Sequence, residues 1–259
     1  MIRVITANVN GIRAAAKKGF FTWLATQNVD IVCLQETKAQ QHQLTDAIFS
    51  PAGYFCYYHD AQKKGYSGVA IYSRYEPLEV IRGIGWQDID CEGRYLEIRF
   101  SHLCVVSLYL HSGTSSEVRQ ALKFDFMQRF MPYLRALSTK SQAYIICGDW
   151  NIAHKPIDLK NWKANQIHSG FLPEERAWMD QLFGESGFVD AFRVINQQAE
   201  QYTWWSHYGQ AWANNTGWRI DYQVVTPDLK DKIMDASIYK AQRFSDHAPL
   251  IIDYDETLT

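Results

Sequence analysis

The chain has 259 residues, with 26 Lys and Arg against 28 Asp and Glu, a net charge of −2, and 47% hydrophobic content. This is ordinary for a globular protein; it excludes a uniformly basic nucleic-acid coat but not a nucleic-acid enzyme, whose acidic centre offsets a basic rim. No apolar run approaches a membrane span, and the five cysteines (Cys33, Cys56, Cys91, Cys104, Cys147) show no CxxC spacing, which argues against zinc and for reduced thiols.

The start, MIRVITANV, reads directly as a strand, so no leader is expected; with the reduced thiols, the expected location is cytoplasmic (bacterial cytoplasm or nucleoid). Ile2–Val9 ends in NVNG, where Asn8 and Asn10 share a face. Ile12–Gln27 has helical spacing through Ile12, Phe20, Trp23 and Leu24, and Asp30–Gln35 is a strand closed by Glu36. Ala61–Tyr66 is an exposed basic turn. Strands are expected over Ser67–Ser73, Glu92–Phe100 and Leu103–Leu110, the last ending near Tyr109. Ser115–Leu137 is the clearest amphipathic helix, with Val118, Leu122, Phe126, Phe130 and Leu134 on one stripe. Ala143–Asn151, AYIICGDWN, is a buried strand with Asp149 and Asn151 at its carboxyl end. Ile152–Gly170 is a long polar loop, and loops of that length are more often functional than idle. Pro173–Phe183 and Ser186–Val194 read as helices. Tyr202–Trp218 is a tryptophan-rich connection, Arg219–Val225 a strand holding Asp221, and SDHAP precedes a last strand at Leu250–Tyr254. Interleaved strands and helices, with several strands in succession, predict mixed sheets in one α/β domain spanning 1–259, since no linker or repeat marks a boundary.

Each polar residue that ends a strand has an ordinary alternative. Asn8 suits a turn, Asp149 a helix cap, Asp246 a turn before Pro249, and His247 a satisfied core histidine. Asp221 is harder to dismiss among Trp218, Ile220, Tyr222 and Val224; its plainest partners are Arg219 or His247. Together, oxygen ligands from Asn8, Glu36, Asp149, Asn151 and Asp246 suit a hard cation such as Mg²⁺, with Mn²⁺ as substitute. His247 adds a general-base or phosphate-contacting imidazole. Metal, base and amide donors are what water attack on a phosphodiester requires.

The chain resembles the exonuclease III family of abasic-site endonucleases, within the endonuclease/exonuclease/phosphatase superfamily. The resemblance runs end to end through NVNGIRA (Asn8–Ala14), LQETK (Leu34–Lys38), YSGVA (Tyr66–Ala70), SLYL (Ser107–Leu110), GDWNIA (Gly148–Ala153), GFLPEER (Gly170–Arg176), WRIDY (Trp218–Tyr222) and SDHAP (Ser245–Pro249). It implies a four-layer α/β sandwich, two mixed β-sheets packed together with helices on the outer faces. By matching motif, Glu36 is the principal metal ligand, with Asn8, Asp149, Asn151, Asp246 and His247 around metal and phosphate. Asp149 would orient or deprotonate the water, Asn151 would help hold it, Asp221 would fix the His247 imidazole, and Tyr109 would donate to phosphate or leaving oxygen. Asn165, Trp204 and Trp218 match positions of a pocket for an extrahelical abasic sugar; Ser169 and Gly170 are small there, as an open pocket needs. His168 and Tyr208 depart from the branch containing the major human abasic endonuclease, which has Asn and Met. Arg13, Lys17, Lys18, Lys38, Lys63, Lys64, Arg119 and Lys123 are DNA-facing cations on this reading, each with a solvated surface charge as its plain alternative. The implied partner is double-stranded DNA with abasic sites or blocked 3′ ends, bound by a monomer. A 3′-end-processing exonuclease or phosphatase, a sugar- or lipid-phosphatase, and a scaffold that has lost chemistry are the competing readings. Phosphate release from inositol lipids would favour the lipid-phosphatase, and DNA binding without turnover the scaffold.

Overall fold

The computed structural model describes residues 1–258. The strands of the first part of the chain are β1 (Ile2–Asn8), β2 (Ile31–Gln35), β3 (Phe55–His59), β4 (Val69–Ser73), β5 (Glu79–Arg82), β6 (Tyr95–Arg99) and β7 (Leu103–Tyr109). Then come β8 (Ala143–Asp149), β9 (Val189–Asp190), β10 (Trp204–Trp205), β11 (Gly217–Trp218), β12 (Asp221–Val225), β13 (Ile233–Ile238) and β14 (Leu250–Tyr254). The helices are α1 (Ile12–Lys17), α2 (Phe20–Leu24), α3 (Gln87–Asp90), α4 (Glu117–Ser138), α5 (Trp162–Asn165), α6 (Pro173–Phe183) and α7 (Ala191–Ile195).

Two six-stranded mixed sheets, ordered β13-β14-β1-β2-β4-β3 and β5-β6-β7-β8-β12-β9, pack face to face. Each holds one parallel pair, β1 with β2 and β7 with β8. The alternation of strand side chains explains the layering. Val4, Ile31, Cys33 and Ile71 point between the sheets, against Ile98, Val105, Ile145 and Cys147. Their neighbours Ile5, Val32, Leu34 and Tyr72 face outward onto Phe20, Phe21 and Trp23 of α2. On the far side, Val106, Tyr144, Ile146 and Val224 meet Phe126, Phe130 and Leu134 of α4 and Met179 and Leu182 of α6.

Between the sheets the core turns polar toward the carboxyl ends of the parallel pairs. The Thr6 hydroxyl donates to Gln35 Oε1 (3.2 Å), and the Gln35 amide donates to Ser107 Oγ (2.9 Å). Beyond this seam lie Asn8, Glu36, Tyr109 and Asp149. Because β12 runs antiparallel to β8, its first residue Asp221 pairs opposite Asp149. Likewise β14 runs antiparallel to β1, so the segment before Leu250 reaches the same edge.

Several expected elements differ. The helix expected over Ile12–Gln27 is two short helices, because Gly19 between them takes φ 86°, a left-handed turn. On α4, Val118 and Leu122 are 70% and 45% exposed, and the buried face is instead Lys123, Phe126, Met127, Phe130, Met131, Leu134 and Leu137. A strict every-fourth-residue stripe drifts about 40° per step around an α-helix, so its early members rotate off a face that the 3–4 alternation keeps buried. Lys123 is therefore no surface cation. The helix expected over Ser186–Val194 opens with the short strand β9, and β12 begins at Asp221 rather than Arg219. Strands β5 and β13 carry too few buried residues to announce themselves; both are outermost in their sheets.

Arg219 precedes β12, fully buried, and donates to Asp158 (2.8 Å) and Asp190 (2.6 Å). Burial opposes the charge on Asp158, but Arg219 and Arg193 outweigh it and hold the carboxyl at about 2. We expect Asp158→Asn to lower stability by about 3–5 kcal/mol, the usual loss when one member of a buried pair is removed. Because the folded carboxyl titrates below its unfolded value, its stabilisation is present above about pH 4 and lost as pH falls toward 2. Denaturant titrations at pH 7 and pH 3 check this: a variant penalty that did not shrink at the lower pH would contradict the account.

Candidate active site

Four strand ends and one loop converge on a cleft of about 790 Å³, whose walls include Glu36, Tyr109, Asp149, Asn151, Asp246 and His247. Glu36, Asp149 and His247 each bring one ligand atom within 4.8 Å of the others. The turn after β2 is strained: Glu36 and Lys38 take φ 51° and 50°, as do Asn10 (42°) and Asn151 (52°) in the adjacent loops. Left-handed non-glycine residues are uncommon, and four of the nine among the described residues lie in these turns.

Asn8 is nearly fully buried beneath the cluster. Its amide nitrogen donates to Glu36 Oε1 (2.8 Å) and Asp149 Oδ2 (2.9 Å), while its oxygen accepts from the Asn10 backbone (3.0 Å). It therefore holds two carboxylates in place and turns its own oxygen away from them. Asn10, left out of the expected site, donates to Asp246 Oδ1 (2.8 Å) and accepts from Lys38 Nζ (2.5 Å). Lys38 also pairs with Glu36 (2.7 Å), so it faces the cluster. Arg13 lies exposed on α1, outside the cleft wall.

His247 Nδ1 lies 2.9 Å from Asp221 Oδ2, which settles the partner of Asp221; Arg219 pairs elsewhere. The other ring nitrogen, Nε2, is 3.9 Å from Asp149 Oδ2. Burial disfavours charge on His247, but Asp221, together with Asp149 when ionised, outweighs it and raises its pKa. Burial pushes Asp149 up to about 8; Asp221 and Glu36 reinforce the shift, while His247 opposes it. Burial also raises Glu36, but Lys38 and Asn8 reverse this and leave it lowered. His247, with donors from Asn10, Ser245 and Trp204, holds Asp246 at about 2 despite burial.

This electrostatic frame fits a bound cation. Four carboxylates (Glu36, Asp149, Asp221, Asp246) gather around His247 and the Lys38 ammonium, and Asp221 Oδ1 is buried with no hydrogen-bond partner among the described residues. Burial is the main cause of the Asp149 shift, but the share due to Asp221 and Glu36 is negative charge that also attracts a divalent ion, and the oxygen-rich donor set suits a hard one.

Tyr109 ends β7 opposite Asp149 across the sheet. The buried Arg94 guanidinium sits 4.8 Å from its ring centroid and donates to its carbonyl (3.1 Å). Burial and the nearby Glu36 keep the phenol protonated, a donor. Asn151 donates its side-chain amide to Leu110 O (2.8 Å), and its backbone N–H donates to Asp149 Oδ1 (2.9 Å).

The cleft continues into a chamber whose lining includes Asn165, His168, Ser169, Gly170, Trp204, Tyr208 and Trp218. The two tryptophans meet edge to face at 6.3 Å, and Trp204 Nε1 donates to Asp246 Oδ2 (3.2 Å), joining the aromatic wall to the acidic end. Gly170 takes φ 93°; a β-carbon there would lie 3.1 Å from Asn151 O and 3.2 Å from the Trp218 ring. Tyr208 is 88% exposed at the rim, as is Ile167 at 79%.

The Endonuclease/Exonuclease/phosphatase family pattern matches residues 5–247, and the chain belongs to that family. An exodeoxyribonuclease of Bacillus subtilis is 41% identical over 251 residues, 96% of this chain and 98% of its own length. The DNA repair nuclease APEX1 of Danio rerio is 37% identical over 97% of this chain and 81% of its own. Among solved structures, an AP endonuclease from Archaeoglobus fulgidus matches at TM-score 0.89 and 29% identity, covering 99% of this chain and all of that one. A 3′ phosphatase from Neisseria bound to product DNA hairpin matches at TM-score 0.89 and 25% identity, covering 99% of this chain and 100% of that chain. Within its family the chain is a hydrolytic nuclease.

Proposed function

We propose that this chain is a DNA-repair phosphodiesterase that hydrolyses the backbone on the 5′ side of abasic sites in duplex DNA, with Mg²⁺ as cofactor and Mn²⁺ as substitute. The observation that carries the reading is the continuity of the cleft: an acidic cluster opens directly into a tryptophan-walled chamber floored by Gly170. A sugar that has lost its base leaves the helix at low cost, and the aromatic walls of such a chamber offer it an apolar seat.

Glu36 and Asp149 would hold the cation, with Asp246, Asn151 and His247 around it. When bound, it supplies charge neutralisation at the phosphate and a stabilised leaving oxygen. Asp149, in its ionised form, would orient and deprotonate the attacking water. The Asn151 side chain helps hold that water. His247, fixed by Asp221, presents an N–H from Nε2 to a phosphate oxygen, a charged donor aimed where negative charge grows. Tyr109 donates its phenolic proton toward the leaving oxygen, with Arg94 seated under the ring. The reading includes a monomer at work in the cytoplasm; the five cysteines without a disulfide suit that compartment.

The Neisseria and Bacillus neighbours support a second reading, in which trimming and dephosphorylation of 3′ ends dominate. One assay separates them: a labelled duplex with a central tetrahydrofuran abasic analogue, incubated with Mg²⁺ or with chelator. The analogue cannot undergo β-elimination, so a Mg²⁺-dependent nick on its 5′ side is hydrolysis. We expect that nick. Trimmed 3′ ends with an intact central site would move the assignment to end processing, and no cutting in either condition would sink the metal-site reading.

A further inference from the structure

The motif GFLPEER holds a residue that the chemistry above does not use. Glu175 sits in the first turn of α6, where a glutamate commonly accepts from the backbone at the helix start. Here it does more. Its side chain is fully buried, and Oε2 accepts from the backbone N–H of Leu172 (3.0 Å) and of Gly170 (2.6 Å). The other oxygen, Oε1, accepts from Lys123 Nζ (2.5 Å) and from the Gln120 side chain (3.2 Å). Lys123 is equally buried, and its ammonium also donates to the backbone carbonyl of Asn151 (2.8 Å). One ion pair thus spans the Asn151 loop and the chamber floor. The two loops already touch, since the Ala153 N–H donates to Gly170 O (2.8 Å).

Stability alone does not account for this arrangement. Two charges taken wholly out of water are seldom worth more to a fold than apolar side chains of the same volume. What the pair supplies is geometry: an ammonium and a carboxylate, each with further fixed partners, leave little freedom in the distance between the loops they grip. We propose that Lys123 and Glu175 are a positioning pair that sets the separation between Asn151, at the reacting end of the cleft, and Gly170, beneath the sugar. The inference rests on the abasic-incision reading. It makes the pair a specificity device, which keeps the scissile phosphate in register with a sugar held in the chamber.

The test uses the double variant Lys123→Met with Glu175→Gln, which removes both charges while leaving an amide oxygen for the Gly170 and Leu172 N–H groups. Wild type, this variant and Lys123→Arg are compared on the tetrahydrofuran duplex in single-turnover reactions with Mg²⁺. Duplex affinity is measured in chelator, and melting temperature in the same buffer. For the double variant we expect a melting temperature and duplex affinity close to wild type, an unchanged reaction amplitude, and an incision rate constant down about 30–100-fold, the scale of a loss of register near 1 Å. Lys123→Arg, which keeps the charge and donors toward Asn151, should recover most of the rate. A purely structural pair would lower the amplitude, as the unfolded fraction rises, and leave the rate constant of the folded molecules alone. An equally stable double variant that cuts at the wild-type rate would overturn the proposal. Failure of the wild type to incise the duplex would instead strike the function on which it rests.

Discussion

Asp149→Asn should give a folded protein, more stable than wild type in chelator, that incises the abasic duplex about 10³–10⁴-fold more slowly. The two halves of this expectation share one cause. Burial and the neighbouring carboxylates raise the Asp149 pKa to about 8, which means that the fold penalises its ionised form. An acid with a raised folded pKa contributes stability below its unfolded value, near pH 4, and loses it as pH rises toward the folded value. In chelator the wild type should therefore weaken across that interval more than the variant does. Removing the charge should raise stability at the upper end of that interval. The activity falls because an amide can neither take the proton of the water nor complete the charge that holds a cation. Melting curves in chelator at pH 5 and pH 8, with single-turnover incision, provide the check. A variant that still cuts within tenfold of wild type would remove Asp149 from the handling of the water.

Gly170→His should reduce internal abasic incision by about 10²-fold or more, while hydrolysis at 3′ ends persists. The backbone at Gly170 has φ 93°, where side chains are strained, and the first added carbon already crowds Asn151 O and the Trp218 ring at 3.1 and 3.2 Å. An imidazole beyond that carbon fills the chamber or pushes the Trp218 wall aside. A terminal nucleotide, free to approach from the open side of the cleft, asks less of this space. Measuring both activities on one variant makes the comparison internal. Untouched central incision would show that the chamber does not hold the sugar.

The residues gathered in the cleft were legible because most lie at or just beyond the end of a strand. An acid or amide directly after a buried apolar run, as at DIVCLQE and AYIICGDWN, has few explanations, and motif order narrowed them. Asp221 was legible for a different reason, as an acid set among apolar neighbours, and β12 running back alongside β8 brings it to the same edge, where it meets His247. What the sequence concealed was the scaffolding. Lys123 reads as one basic residue on a charged helix, and only the 3–4 alternation of α4 places it inward. Glu175 reads as a helix-start glutamate, and its second role depends on a loop brought up from Gly170. Asn10 could be seen to share a face with Asn8, but the partner that gives it a task, Asp246, lies 236 positions away. Strands β5 and β13 failed to register because an outermost strand needs little apolar alternation.

The strand order of the first sheet bears on how the enzyme comes into being. β14 is added last among the strands, yet it takes an interior place, hydrogen-bonded to β13 on one side and β1 on the other. Asp246 and His247 lie in the segment leading into it, while their counterparts Asn8 and Glu36 belong to the first strands made. On a ribosome, the early part of the chain therefore waits with β1 unpaired on one edge and with the reacting groups incomplete. Any product that stops short of Ser245 lacks both Asp246 and His247 and leaves β1 without its β14 partner.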